Sequence, residues 1–561
     1  MKFNEMKYER PNMQNLTEQM TEYLDALEKA NSADAFMPIF KTINKCRGHL
    51  QTMVTLVQIR HSIDTSDEFY DTENNYWDET LPSYQQIENR FVRICVNAPF
   101  RTDLLKSIPE TFFKLGECAL KSYDPKIIPL LVEENKLSTE YGKLKASAKI
   151  PFESEVLNLA QIGAKEIDPD RDVRKKASDA KYAFYAEHKD EFESIYDRMV
   201  HVRSKMAAEM GYKNYVELAY YRMNRLDYNA DMVAGYRRQI LKWITPEAEA
   251  IYEKQRKRLG YDVLEYFDLK YEYPDGNATP TGTPDQLVES AVKMYHEMSP
   301  ETGEFIDLMN NNQLWDLVSR PNKEMGGYTT DILDYKCPFI FSNFNGTSAD
   351  IDVLTHEAGH AFQSYMSRNI DIPDITFPTM ESCEIHSMSM EFFAHPWMNL
   401  FFHKDTEKYL YSHTCGTLTF LPYGALVDHF QQEVYENQEW TPADRNACWR
   451  RLEKQYLPYK NYDGCSFLEE GCYWFQQNHI FQSPFYYIDY TLAQVCALQF
   501  FVRMQKKDPT AWRDYIHLCT LGGTMSFTNL VKEANLTIPF EDGCMERVVK
   551  EIDAYLETFN N

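Results

Sequence analysis

One stretch, Leu354-Thr355-His356-Glu357-Ala358-Gly359-His360-Ala361-Phe362, leaves this chain little choice of local structure. Histidines four positions apart share a face on an α-helix. From that face both imidazoles reach one tetrahedral metal, while Glu357 alongside is close enough to handle a proton. That is the ligand pattern of a zinc hydrolase. The helix that must carry it has clear limits. Thr347 with Asp350 three residues on is a capping-box-like start, the run extends to about Arg368, and Pro373 forbids continuation. Asp352 sits one turn before His356 on the same face, where it can accept an imidazole N–H and fix the tautomer, or simply favour the helix dipole.

A catalytic zinc takes three protein ligands and keeps one position open. A third histidine within an extended motif is excluded, because Gln363 and Met366 stand where its glycine and histidine would be. A carboxylate must come from elsewhere, and the segment Met380 to Glu391 carries Glu381, Glu384 and Glu391 on one helical stripe. Cys383, Ile385, Met388, Met390, Phe392 and Phe393 make that segment too apolar for a solvated acidic face. The carboxylates are therefore expected to be buried and to need a partner such as a metal. Spacing leaves Glu381 and Glu384 both open as the third ligand.

Short stretches at 326–331 and 338–344, aromatic and β-branched between turn signals, are the best strands in the sequence. An exposed edge there can take an extended peptide through main-chain hydrogen bonds; the alternative is that the strands only brace the motif helix. The first third reads as successive helices. Leu16, Met20, Tyr23, Leu24 and Leu27 follow three-and-four spacing, and Phe192, Ile195, Met199, Val202, Met206 and Met210 continue it along a longer helix. Such stripes are core. The run from Tyr273 to Pro284, rich in Pro, Gly and Thr, reads as a loop, either a surface excursion, the favoured reading, or a flexible cleft edge.

With 561 residues, 43% of them hydrophobic, the chain can build two or three lobes with a large buried core. Its 59 basic against 85 acidic residues give a formal charge of -26, which opposes nucleic-acid and anionic-membrane partners. Twelve scattered cysteines without a C-x-x-C pair argue against both a disulfide framework and a thiolate zinc site. The N-terminus lacks a signal peptide's apolar core, and no run approaches the roughly eighteen apolar residues that span a bilayer. A reducing cytoplasm is the expected location.

Taken together these segments resemble the zinc oligopeptidases that include thimet oligopeptidase, oligoendopeptidase F and Pz-peptidase. The resemblance rests on His356-Glu357-Ala358-Gly359-His360-Ala361-Phe362, on Glu384-Ile385-His386-Ser387 with Glu391 seven residues after Glu384, and on two later segments. It covers most of the chain from about Gly211 onward. It implies that Glu384 is the third metal ligand and Glu391 a supporting acid. Cys383 and His386 fall at variable positions and are assigned no chemistry.

In the first later segment, Tyr456, Tyr459, Tyr462 and Tyr473 lead into His479-Ile480-Phe481-Gln482-Ser483-Pro484-Phe485-Tyr486-Tyr487-Ile488-Asp489-Tyr490. Tyrosine and histidine donate hydrogen bonds to an oxyanion, and Pro484 pins a turn that can aim several at one point. By likeness to the family, Tyr487 and Tyr490 with His479 ahead of them match its substrate and transition-state segment. The interval from His479 is one residue shorter than in thimet-type members, which leaves Tyr486 and Tyr487 both open. The second segment, Leu521-Gly522-Gly523-Thr524-Met525-Ser526 followed by Leu530-Val531-Lys532-Glu533-Ala534, reads as structural. Asn535 stands where a glycine is common, and Asn tolerates a left-handed cap.

The expected protein is mainly α. The resemblance implies two helical lobes around a deep substrate channel, with a small β-sheet next to the H-E-x-x-H helix. An N-terminal helical lobe over residues 1–190 would precede a metallopeptidase region over 191–561. His356, His360 and Glu384 would hold one Zn²⁺ per chain, Glu357 would be the general base, and Tyr487, Tyr490 and His479 would steady the oxyanion. Substrates would be short unstructured peptides. A helical zinc metallocarboxypeptidase shares the same motif. A non-catalytic scaffold binding metal or peptide is the reading from another class, and the intact Glu357 speaks against it. Oligomeric state is not legible in the sequence.

Overall fold

Helices carry most of the chain in the computed structural model, which describes residues 1–559, and the strands among those residues form two small sheets. The mainly helical expectation holds. Two compact units emerge, each assembled from three separate stretches of chain: Met1–Leu120, Thr279–Thr406 and Cys496–Ile538 in the first, and Lys121–Ala278, Glu407–Val495 and the stretch from Pro539 on in the second. The expected boundary at 190/191 does not coincide with these units, since it falls inside the helix Lys189–Met210 of the second. Hydrophobic periodicity says which face of a helix is buried. It does not say which distant helix buries it.

In the first unit, helices Met13–Lys29, Ala33–Ile63 and Glu68–Val96 pack together. Each starts on a side-chain cap: Asn12 accepts from Asn15 N, Ser32 from Ala35 N, and Asp67 from Phe69 N and Tyr70 N. The stripe read from the sequence points inward, with Met20, Leu24 and Leu27 joining Phe36, Phe40, Trp77 and Phe91 in one core. Each such side chain contributes about 1.5–3 kcal/mol by leaving water.

A three-stranded sheet in the same unit has Cys337–Phe344 at its centre, parallel to Trp315–Val318 on one side and antiparallel to Tyr328–Ile332 on the other. The central strand is buried along nearly its whole length, as its unbroken apolar run requires. Two of these strands match the sequence reading. The third, Trp315–Val318, is a short edge element with no alternation to betray it. The helix Ala349–Ser367 lies on this sheet, packed against both Cys337–Phe344 and Tyr328–Ile332, and also against helices Met380–Phe393 and Ala511–Leu521.

The second unit is built around helices Ile128–Ala146 and Lys189–Met210. The latter buries Phe192, Ile195, Met199, Val202 and Met206, and stops at Gly211 with φ 86°, a left-handed cap that glycine accepts without strain. Buried Glu134 on the first helix bonds Arg203 on the second at 2.6 Å and Arg222 at 2.8 Å. The loop after Tyr273 lacks regular structure, as read, but Tyr273 and Ala278 within it are buried, so it is anchored rather than a free excursion. Asn535 adopts φ 55°, the left-handed cap expected of it. The twelve cysteines are free thiols. Among the described residues no helix is long and apolar enough to cross a membrane.

Candidate active site

The motif helix begins differently from its sequence reading. Ser348 precedes Ala349 without a side-chain cap. Instead Asp350 turns back to accept from the backbone N–H groups of Asn345 at 2.8 Å and Gly346 at 2.7 Å, while the Asn345 side chain accepts from Thr347 N at 3.0 Å. The loop is thus tied to the first turn by Asp350. The helix ends at Ser367 with Arg368 as its C-cap, close to the expected limit.

On this helix His356 and His360 face a carboxylate from the helix Met380–Phe393, and that carboxylate belongs to Glu384. Ligand atoms of the three lie within 4.8 Å of one another. Glu384 Oε2 is 3.3 Å from His356 Nε2 and 3.4 Å from His360 Nε2, and it also accepts from Ser387 Oγ at 3.1 Å. The other candidate, Glu381, accepts from Thr379 Oγ1 at 3.0 Å and stands outside this cluster. His386, assigned no chemistry from the sequence, is fully buried and pushed down to about 4 by burial and by His360, so it stays neutral.

How the two helices come this close is explained by Gly359, which the sequence reading passed over. A Cβ there would lie 2.6 Å from Ser387 Cα and 2.7 Å from the His386 carbonyl oxygen. Only glycine lets the backbones meet, and a lone glycine inside a helical pattern was the available signal.

The tautomer of His356 is fixed by tertiary structure. Its Nδ1 meets Glu391 Oε1 at 2.6 Å, which turns Nε2 toward Glu384. Burial works against a charged His356, yet Glu384 and Glu391 hold its pKa well above the ordinary value. Burial likewise raises the Glu384 carboxyl, but His360 and His356 hold it well below the usual carboxylate range. The three groups therefore stabilise positive charge between them. Two imidazole nitrogens and one carboxylate oxygen are a zinc donor set, so these residues fit that ion.

Glu357 points to the edge strand. The Thr329 hydroxyl lies 2.7 Å from Glu357 Oε2 and 3.0 Å from the Glu357 carbonyl oxygen, which fixes the carboxylate beside the cluster. Thr329 was read only as part of a strand. No local pattern could link it to a residue 28 positions later.

The tyrosine segment belongs to the second unit. His479 sits on the short helix Asn478–Gln482, and Tyr487 and Tyr490 on the first turn of Tyr487–Gln505. Ring centroids of His479 lie 4.7 Å from Tyr487, 5.8 Å from Tyr486 and 5.9 Å from Tyr490, so these four residues form one group. The bend ahead of them is strained, with Phe485 at φ 67°. It is held by Gln431, which accepts from Phe485 N at 3.0 Å, and by buried Arg225, which donates to the Phe485 carbonyl and to Asp489 at 3.0 Å. Burial lowers the pKa of His479 and raises that of Tyr487, leaving both neutral and able to donate.

Residues 3–123 match the Peptidase M3 N-terminal domain and residues 166–549 match Peptidase family M3. Among the solved structures similar to it, three share about half of its residues over its whole length. A protein assigned as an oligoendopeptidase F, crystallised by microfluidic seeding, is 50% identical with a TM-score of 0.92, covering 100% of this chain and 99% of that one. Pz peptidase A with an inhibitor is 49% identical with a TM-score of 0.93, covering 100% of both. A protein assigned as an oligoendopeptidase F from Bacillus anthracis is 46% identical with a TM-score of 0.88, covering 100% of this chain and 99% of that one. No curated protein sequence matches the chain.

Proposed function

The chain belongs to peptidase family M3, in its oligoendopeptidase F and Pz-peptidase group, and from that premise we propose a zinc-dependent oligoendopeptidase that cuts internal bonds of short unstructured peptides. The observation that best supports this reading is the convergence of His356, His360 and Glu384 within 4.8 Å on the helix face beside Glu357. These three residues would hold one Zn²⁺ per chain. Bound there, zinc supplies Lewis-acid chemistry, making water ionisable near neutral pH and polarising a carbonyl.

The remaining roles fall to the chain's own groups. Glu391 holds His356 in the tautomer that leaves Nε2 free to ligate. Glu357 takes the proton of the attacking water and passes it to the leaving amine, while Thr329 keeps its carboxylate from rotating away. The strand Tyr328–Ile332 lies at the edge of its sheet, and that edge is suited to pair with the main chain of an extended substrate. By the family resemblance, Tyr487, Tyr490 and His479 donate hydrogen bonds to the oxyanion that develops on the scissile carbonyl, and losing one such donor costs on the order of a hundredfold in turnover. The free cysteines support a reducing, cytoplasmic location.

The decisive experiment is Glu357→Gln, assayed on an internally quenched peptide blocked at both ends. The parent should cut this peptide, which a carboxypeptidase cannot. The variant should lose about a hundredfold to ten-thousandfold in rate while keeping one zinc per chain by metal analysis. Near-normal cleavage with zinc still bound would sink the general-base assignment.

A further inference from the structure

Within the second unit lies a cavity of about 420 Å³ whose lining includes Lys181, Lys270 and Lys460 together with Tyr423, Tyr459 and Tyr473. In a chain of net charge -26, three ammonium groups around one concavity are not what composition supplies by default. A single carboxylate, Glu166, shares the lining, and it is divided between Lys181 at 3.1 Å and Lys270 at 2.7 Å. Lys460 is 3.6 Å from Glu453, but that carboxylate is already engaged by Arg450 at 3.1 Å and by the Tyr462 hydroxyl. The Lys460 ammonium instead rests 3.1 Å from the ring centroid of Tyr473. Just behind the wall, Lys145 Nζ donates to the carbonyl oxygen of Gln476 at 3.0 Å, so a fourth cation reinforces the same field.

The titration of the neighbours reports that field. Burial alone raises the Tyr473 phenol, but Lys460, Lys181 and Lys270 outweigh it and bring its pKa below the ordinary value. Lys145 is pushed down to about 8 by burial and by Lys181. An excess of positive charge facing a low-dielectric wall concentrates anions there. Neutral donors are also present, since the lining tyrosines present hydroxyls beside apolar ring faces.

The cavity adjoins the segment 479–490 through two lining residues. Tyr423 and Gln477 both line it, Tyr423 OH donates to Gln477 Oε1 at 2.7 Å, and Gln477 Nε2 meets His479 Nδ1 at 2.7 Å. The ring of Tyr423 also lies 5.8 Å from that of Tyr487. A ligand here would be one side chain removed from His479 and Tyr487, through Gln477 and Tyr423. Its volume exceeds what a bare ion needs and suits one residue of a peptide.

We propose that this cavity binds a carboxylate carried by a peptide, either a free C-terminus or an acidic side chain, through Lys270 and Lys460. The inference deepens the peptidase reading and rests on it for the identity of the ligand as a peptide. It makes the enzyme selective for anionic peptides at a site other than the one where bonds are cut.

The test is equilibrium binding of fluorescently labelled peptides to the full-length, zinc-loaded Glu357→Gln protein, read by anisotropy. One sequence is made as its C-terminal acid and as its C-terminal amide, and the amide form is also made with Glu or Gln near its end. The acid should bind about tenfold tighter than the amide if the C-terminus is the ligand; the Glu peptide should bind about tenfold tighter than the Gln peptide if a side chain is. In Lys270→Gln and Lys460→Gln the ratio should fall toward one. The Lys270 side chain is 60% exposed, so that variant carries little folding risk, and an unchanged melting temperature verifies it. Equal affinities across the series, or a preference that survives Lys270→Gln, would overturn the proposal. If Glu357→Gln proved to retain turnover, the catalytic assignment would fall while the charge preference still reported on the cavity. Lost turnover with no preference would sink the cavity alone.

Discussion

In the proposed mechanism, Thr329 is a residue that touches neither metal nor scissile bond and still sets the rate. Its hydroxyl bonds Glu357 Oε2 at 2.7 Å, and without it the carboxylate is free to swing between rotamers that do not face the reacting water. Thr329→Val should therefore lower kcat by about tenfold to a hundredfold with KM and zinc content little changed, and Thr329→Ser should restore most of the loss. Equal activity of the valine and serine variants would show that the contact does not position Glu357. The two histidines were legible because helical spacing puts them on one face, and Glu357 because it adjoins the first of them. Glu384 could not be separated from Glu381 by spacing, and the contact of Glu391 with His356 could not be read from either segment alone, because both depend on how a second helix is rotated against the first.

At the level of elements, the site depends on two backbones being closer than any side chain allows. Gly359→Ala places a methyl group 2.6 Å from Ser387 Cα, and since the obstacle is backbone the helices must part. Overpacking of this kind costs about 1–3 kcal/mol, and here it also draws Glu384 away from the histidines. The variant should lose zinc on purification and melt lower, and full zinc occupancy would refute the argument. The tyrosine helix has its own dependency in Arg225, which pairs with Asp489 where both side chains are fully buried. Arg225→Met strands that carboxylate and should cost about 3–5 kcal/mol, read from denaturant unfolding, with much of it recovered by adding Asp489→Leu. Helix existence and the strands 328–332 and 337–344 were visible in periodicity and composition. The strand Trp315–Val318 and the Asp350 clamp were not, since one is held by its neighbour's hydrogen bonds and the other by a loop turning back on itself.

For the whole molecule, the sequence told the charge and the helical class but not the interleaving of the two units, each of which closes only when segments hundreds of residues apart meet. Such closure buries carboxyls that an extended chain would leave in water, and their titration is a property of the folded whole. Burial pushes the Asp331 carboxyl up to about 6 from the ordinary 3.8, with the Ser364 hydroxyl offsetting only part of the effect. Between those two values the native protein holds a proton that the unfolded chain has released. Stability from this group is therefore present at low pH and is lost as pH rises through about 6. Asp331→Asn cannot titrate, yet its side-chain oxygen can still accept from Ser364. Every other carboxyl titrates equally in parent and variant and cancels in the difference. The melting temperature of Asp331→Asn minus that of the parent should thus climb between about pH 4 and about pH 6, then stay level to about pH 8. A difference that is flat throughout, or that falls with pH, would mean that Asp331 is not held protonated by burial.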